Sequence, residues 1–583
     1  MKSMIASTVL GRLLLHLPSN VNSTRRFLVP ILNRSDIDFD LKNPASILAT
    51  LKYNSVVQGK LKSGLSGNNG GDRDVAVKVV PWARPDLAWN EVETFSVLGK
   101  HPFLLDFIGV SQDKDDSFLV VTELVPHGLT LEQYCVKQVQ AKKAPLDFRL
   151  INQLARAMVH VHSKNVVHRD LKASNVFVKR SGDSSHSIRL ADFDRSTMLL
   201  DGNLLEEPCG SLFHMAPELL RWEKYDRKVD VYAFGVLLYE FAHGGASPYE
   251  GSIGSGLPGT MTQEEFATRV AGEDGLRPKW TFQEHTLRRL AERCWHPSPS
   301  ERPEFEEIVE VLQREYPLRE EQLRLLSELE STQRDEDNTH LQLVGTSASI
   351  GLVRRRMEDA LAVLQMEGDS STTVCGVFDG LRDSRTADFA ARKFGLNMFE
   401  TVLEEKDKAD SGTVRMELLR VDESLARVIP EIECGSTATV ALVNSKQLCV
   451  GWLGDSSAYL FRKTVTPNAT PSVHYQAVSL ITKHAPDRPD ELERIDSHQG
   501  TVGREFTYLD NGDKRPIGPW RAFMPAPKLG ETDEKGHSRI GMAVSRALGL
   551  FPFRPVISGE PEFVAVDRDY DKDEYLVLAS DGL

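Results

Sequence analysis

No stretch of the 583 residues is apolar for long enough to cross a bilayer, so the chain reads as soluble, without a transmembrane segment. Cysteine is scarce. Six of them, at 135, 209, 294, 375, 434 and 449, lie far apart with no CxxC spacing. That excludes a disulfide frame or a zinc ribbon and points to reduced thiols in a cytosolic-type compartment. Positive charge is in deficit, with 70 Lys and Arg against 84 Asp and Glu and a net charge of −14, which argues against a nucleic-acid binder. Acid is missing from the first 34 residues, which carry Lys2, Arg12, Arg25, Arg26 and Arg34 among frequent serines. With Ile5, Val9 and Leu13 at helical spacing, these are the marks of an organelle transit peptide. Arg12 interrupts the apolar run and speaks against a secretory signal. The favoured expectation is plainer: residues 1–42 form a short amphipathic or disordered extension of a cytoplasmic protein, with organelle import the alternative.

What is present is enough chain for two or three domains, with ordinary globular composition: 40% hydrophobic and 26% charged. The organising stretch is VVHRDLKASNVFV, Val166 to Val178. Two apolar runs enclose a loop that presents Arg169, Asp170, Lys172 and Asn175. Phosphoryl transfer needs this set: a carboxylate to orient an attacking hydroxyl, a cation for the phosphate, and an amide oxygen on a metal ion. The loop resembles the catalytic loop of eukaryotic protein kinases, which implies Asp170 as base, Lys172 as phosphate cation and Asn175 as a magnesium ligand.

Other segments fit in order. DVAVKVV alternates as a strand carrying Lys78, and WNEVETFSVL has helical periodicity with Glu91 as the lysine's partner. Glu93 is the rival; Glu91 is preferred because it shares the core-facing side with Leu98. FLVVTELVPHG resembles the hinge between kinase lobes, with Thr122 as gatekeeper and the backbone around Glu123 and Val125 binding adenine. IRLADFDRS ends a strand at Asp192, a carboxylate suited to the magnesium that bridges phosphates. Gly210 to Glu218 resembles the end of an activation segment, Asp230 heads a buried helix, and Arg302 is expected to pair with Glu218. Lys172 and Ser211 stand where serine/threonine kinases carry their markers, so the resemblance, tyrosine-kinase-like in flavour, implies Mg-ATP as cofactor and protein Ser/Thr acceptors. Ser196, Thr197 and Ser211 are candidate phosphorylation sites that would act through Arg169, with plain surface hydroxyls the favoured reading of the first two.

Glycine is lacking where that family uses it. The phosphate-covering loop falls at about Ala49 to Asn54, with Ala49, Leu51 and Asn54 in glycine positions. A side chain there keeps backbone amides from approaching phosphate. The cluster Gly64 to Gly71 reads as a turn between strands. Asp194 replaces the glycine of DFG, restricting the backbone and adding charge beside Asp192.

After the domain at about 43–316, residues 317–340 are charge-dense, with Leu318, Leu325, Leu326 and Leu329 close to one helical face. That suits a helix packed on the last lobe, too short for a coiled coil. In 341–583, strands alternate with helices and three strands end in acid: Asp379, Asp455 and Asp581. Hard divalent cations want several oxygen ligands, and such a pair can generate a hydroxide to attack phosphate. With RRRMED, CGSTATVAL and AVSRALG, these motifs resemble metal-dependent protein phosphatases of the PPM (type 2C) class. The resemblance implies Mn2+ or Mg2+ held by Glu358, Asp379, the Gly380 carbonyl and Asp581, with Arg354 on the phosphate. The departures are Leu381 for a histidine, Ser457 for an arginine, Lys483 for an aspartate and Leu550 for a metal-binding carboxylate. The sequence also stops at Leu583, where that family continues, so the domain reads as C-terminally truncated with weak or absent phosphatase activity.

The expected fold class is α+β: a bilobal protein kinase fold followed by an incomplete α/β/β/α sandwich of the PPM type. The pairing resembles plant proteins that join a protein kinase to a PP2C-like domain. The expected function is a serine/threonine kinase with a degenerate phosphatase module. Its rivals are a catalytically inactive scaffold and a two-headed enzyme.

Overall fold

A computed structural model describes residues 11–18, 24–50, 55–62, 72–81, 86–113, 117–126, 128–140, 147–180, 186–199, 204–249, 261–272, 275–281, 285–318, 358–366, 369–405, 410–428, 433–465, 473–508, 514–524, 541–569 and 572–581. Arg354, Leu51, Asn54, the Gly64–Gly71 cluster and the linker beyond Leu318 lie outside them.

The first strands are unexpected. β1 (Gly11–Pro18) and β2 (Thr24–Ile31) pair antiparallel over eight residues, and β1 pairs again, Gly11–His16 against Leu361–Met366 of the second half. The expectation of a helical or disordered leader is therefore corrected over this part. The helical spacing of Ile5, Val9 and Leu13 is a local signal. It loses to an open sheet edge whose backbone groups need partners.

β3 (Ile37–Phe39), β4 (Ile47–Thr50), β5 (Ser55–Leu61) and β6 (Arg73–Pro81) follow, then α1 (Asp86–Leu98), β7 (Phe107–Asp113) and β8 (Ser117–Glu123). On β6, Val75, Val77 and Val79 enter one apolar cluster with Val57, Leu119 and Val121. The period of two turns Lys78 and Val80 to the other face, toward α1.

The large lobe holds β9 (Leu129–Thr130), α2 (Leu131–Gln140), α3 (Arg149–Ser163), β10 (Val166–Val167), β11 (Val176–Arg180), β12 (His186–Leu190) and β13 (Thr197–Met198). Then come α4 (Pro217–Leu220), α5 (Lys228–Ala242), α6 (Gln263–Ala271), α7 (His285–Cys294) and α8 (Phe305–Glu315). α5 is apolar nearly all round and is buried at Val231, Phe234, Val236, Leu237 and Phe241, the centre of this lobe's core.

In the second half β14 (Asp359–Met366) and β15 (Asp369–Leu381) form a hairpin, extended by β16 (Gly435–Ser436), β17 (Ala438–Val443) and β18 (Gln447–Leu453). A second sheet pairs β19 (Ser457–Val465) with β20 (Val473–Ser479) and with Asp573–Ala579. Ala441, Val450, Trp452, Ala458 and Leu460 fill the space between the two sheets. Two long helices, α9 (Arg385–Glu405) and α10 (Ser411–Val428), pack on the first sheet's outer face. The architecture is α+β, as expected.

The two halves share one sheet. Its order runs from β18, β17, β15 and β14 through β1 and β2 to β7, β8, β6, β5 and β3. The join between β2 and β7 is a single parallel register pair, Ile31 to Val110, with Leu32 N–H donating to the Val110 carbonyl at 2.8 Å.

Candidate functional sites

The catalytic-loop stretch sits between β10 and β11, as its flanking apolar runs require. Asp230, fully buried, fixes its start by accepting the amides of His168 and Arg169, each at 2.8 Å, and pairing with His162 at 2.9 Å. Asp170 then receives Lys172 Nζ at 2.8 Å and both the amide and hydroxyl of Ser211 at 2.8 Å. Burial works against ionising Asp170, but the Lys172 and Ser211 hydrogen bonds prevail and its carboxyl titrates below its ordinary value. It is poised as an acceptor. Asn175 Nδ2 donates to the Asp170 carbonyl at 2.9 Å, which leaves its side-chain oxygen as a ligand atom. A Cβ on Gly210, at φ +116°, would meet the Arg169 carbonyl at 2.5 Å, so only glycine lets the activation segment close over the loop.

Across the cleft Lys78 Nζ meets Glu91 at 2.7 Å, and Glu93 instead faces Arg392 of the second half. Burial disfavours the Lys78 charge, yet Glu91, Asp192 and Asp194 together hold its pKa above the ordinary value. Asp192 lies in the left-handed region at φ 65°, a strain tolerated at functional sites. Burial and the nearby Glu91 raise its pKa; burial and Asp192 push Asp194 up to about 6. Carboxylates crowded in this way, with Asn175 beside Asp170, are a donor set that fits a divalent cation.

Thr122 lies half-buried near the end of β8, and Val125 is buried with its carbonyl accepting Gly128 N–H. The Glu123 side chain turns away from any nucleotide: it binds Arg189 at 2.7 Å and Lys179 at 3.0 Å, tying the hinge to β11 and β12. Glu218 and Arg302, both buried, pair at 2.6 and 2.8 Å. Ser196 is fully buried with its hydroxyl facing the His168 carbonyl, so this surface does not offer it for phosphorylation.

A residue the sequence did not flag is Asn90. Its amide donates to the carbonyls of Asp194 at 2.6 Å and Ser196 at 2.7 Å, so α1 carries both the partner of Lys78 and a clamp on the segment after Asp192. Partners more than a hundred positions away left no local signal.

In the second half the strand ends do converge. Asp359 stands opposite Asp379 across the β14–β15 hairpin, and Ser580 hydroxyl donates to Asp359 at 2.8 Å. Burial and then Asp359, Asp581 and Asp455 push Asp379 up to about 8. The three strand-end acids Asp379, Asp455 and Asp581 therefore stand together, and Asp359 joins them. The Glu358 carbonyl accepts Gly380 N–H at 3.0 Å. A Cβ on Gly380 would come within 2.5 Å of the Glu358 and Asp383 carbonyls, which makes this backbone approach glycine-specific. Among the described residues, the trio whose acidic ligand atoms lie within 4.8 Å of one another is Asp490, Glu491 and Glu562, and the carboxylates around Asp379 do not close to that distance as a set of three. Leu550 offers no ligand atom: it is fully buried among Ile495, Ala547 and Val556 at φ 50°, a left-handed conformation that suits a short polar residue better than leucine.

Residues 45–312 match the family model of protein tyrosine and serine/threonine kinases, and residues 343–583 match that of protein phosphatase 2C. The chain is a protein kinase domain followed by a PP2C domain. A rice protein kinase and PP2C-like domain-containing protein is 25% identical over 510 residues, covering 74% of this chain and 71% of its own. The kinase domain is similar to two proteins of Arabidopsis thaliana. Serine/threonine-protein kinase STY46 is 31% identical over 41% of this chain, and serine/threonine/tyrosine-protein kinase HT1 is 30% identical over 37%. The chain spans 40% and 51% of those two relatives. Among the described residues no helix is long and apolar enough to cross a membrane.

Proposed function

We propose that the kinase domain transfers phosphate from Mg-ATP to serine or threonine of protein substrates, and that the PP2C domain hydrolyses phosphoesters weakly or not at all. The observation that carries the first part is the ion pair of Lys78 with Glu91 at 2.7 Å, facing Asp192 across one cleft. Asp192 and Asn175 would hold magnesium, which supplies charge neutralisation at the transferring phosphate. Lys78 fixes the nucleotide phosphates; Asp170 accepts the hydroxyl proton of the acceptor, and Lys172 stabilises the charge that develops on the phosphoryl oxygens. The bond from Lys172 to Ser211 at 2.9 Å supports a serine/threonine acceptor. Against phosphatase chemistry stands Leu550, an apolar group with no lone pair to offer a metal.

The test is transfer of labelled phosphate to a generic acceptor protein, compared with Asp192→Ala. A rate at least roughly a hundredfold above that variant is expected; equal rates would sink the reading and leave an inactive scaffold. Phosphate release at millimolar Mn2+ that Asp379→Ala abolishes would reinstate a two-headed enzyme.

A further inference from the structure

The kinase helix α1 has two buried sides. Asn90 and Glu91 face the cleft, while Trp89, Val92 and Glu93 face the PP2C helix α9. Trp89 is 1% exposed and stacks on Phe118 of β8, with ring centroids 4.7 Å apart. The Arg392 guanidinium of α9 lies 4.8 Å from the Trp89 ring and 3.5 Å from Glu93. Beside it, Lys393 Nζ binds Gln112 of β7 at 3.0 Å, and Gln112 in turn donates to Asn397 at 3.1 Å and Glu400 at 3.0 Å. Gln112, Lys393 and Asn397 are buried, and with the part-buried Glu400 they line one wall of a cavity of about 710 Å³ between the two halves. Trp89, Val92, Val110, Phe118 and Val120 belong to the same apolar cluster as Phe389, Phe394 and Phe399.

We infer that α9 of the PP2C domain positions α1, and through it Glu91 and Lys78, so that the second domain sets the nucleotide site of the first without contributing a reacting group. The physical reason is that a helix's place is decided by what packs on it. α1 presents apolar surface on the side away from the cleft; β2, with Val29 and Ile31, packs on it, and α9 completes the cover through Arg392 over the Trp89 ring. Arg392 is a positioning residue: a cation over the Trp89 face and beside Glu93 fixes the rotation of α1 about its axis. That rotation decides whether Glu91 points at Lys78.

The inference rests on reading the first domain as a nucleotide-binding kinase, and hydrogen exchange in the full chain separates the two. In Arg392→Glu the new carboxylate faces Glu93, and amides of α1 should exchange at least tenfold faster while those of α5 in the large lobe stay unchanged. The swap Glu93→Arg with Arg392→Glu should return α1 to within threefold of the natural protein. In phosphate transfer the single variant should raise the KM for ATP at least fivefold, again restored by the swap. A natural protein that transfers no phosphate refutes the kinase reading but leaves the exchange result decisive. Unchanged α1 exchange in Arg392→Glu, or no rescue by the swap, overturns the inference. Should Arg392→Glu loosen α5 as well, Arg392→Gln, which removes the cation over Trp89 without adding a carboxylate beside Glu93, becomes the deciding variant: faster exchange confined to α1 supports the inference, and unchanged α1 exchange overturns it.

Discussion

Asp379 shows how a single carboxyl reports on its site. With a folded pKa of about 8 against an ordinary value near 4, the folded protein keeps a proton that the unfolded chain has already shed across that window. Stability of the metal-free protein should therefore fall as pH rises from about 4 to about 8, by at most about 1.4 kcal/mol per pH unit from this group. Thermal melting in EDTA should show that slope, and Asp379→Asn should flatten it and raise Tm at pH 8. A melting temperature independent of pH would mean the carboxylates are not crowded. Arg302 makes a second case. It is 2% exposed and holds Glu218 by two hydrogen bonds. Arg302→Met should cost about 3–5 kcal/mol in urea unfolding, because it strands a buried carboxylate.

At the scale of elements, α1 places two contacts of the proposed site on adjacent residues. Glu91 orients Lys78, while Asn90 holds the backbone of Asp194 and Ser196. Each such bond contributes about 0.5–1.5 kcal/mol. Asn90→Ala should thus lower kcat for phosphate transfer about tenfold and open the segment after Asp192 to limited proteolysis. Unaltered kcat and cleavage would show that this segment is held by other contacts. The shape of the loop at Gly210 and Arg169 belongs to the same scale, since both depend on left-handed or glycine-only backbone.

At the scale of the whole molecule, the two domains are joined by a shared sheet and a shared core rather than by a tether alone. A cluster containing Trp89 and Phe118 from one half and Phe389 and Phe394 from the other cannot be opened on one side only without exposing aromatic surface. Calorimetry should accordingly show the small lobe and the PP2C domain melting in one transition; separate peaks for the two would mean the common core adds little.

Much of the chemistry is written locally. The loop from Val166 to Val178, the alternation that displays Lys78 and the strands ending at Asp379 and Asp581 rest on short-range patterns of period two or on fixed motif spacing. For that reason they are legible in the amino-acid sequence by itself. So is the choice of Glu91 over Glu93, which follows from helical facing. Tertiary structure alone decided that Gly11–Pro18 and Thr24–Ile31 are strands, because their partners stand up to roughly 350 positions away and an open edge outweighs a weak helical period. It alone brought Asp359 to Asp379, set Asn90 on the activation segment, and laid α9 against α1. Side chains from distant parts of the chain meet only when packing closes the core, and no periodicity in either segment records that meeting.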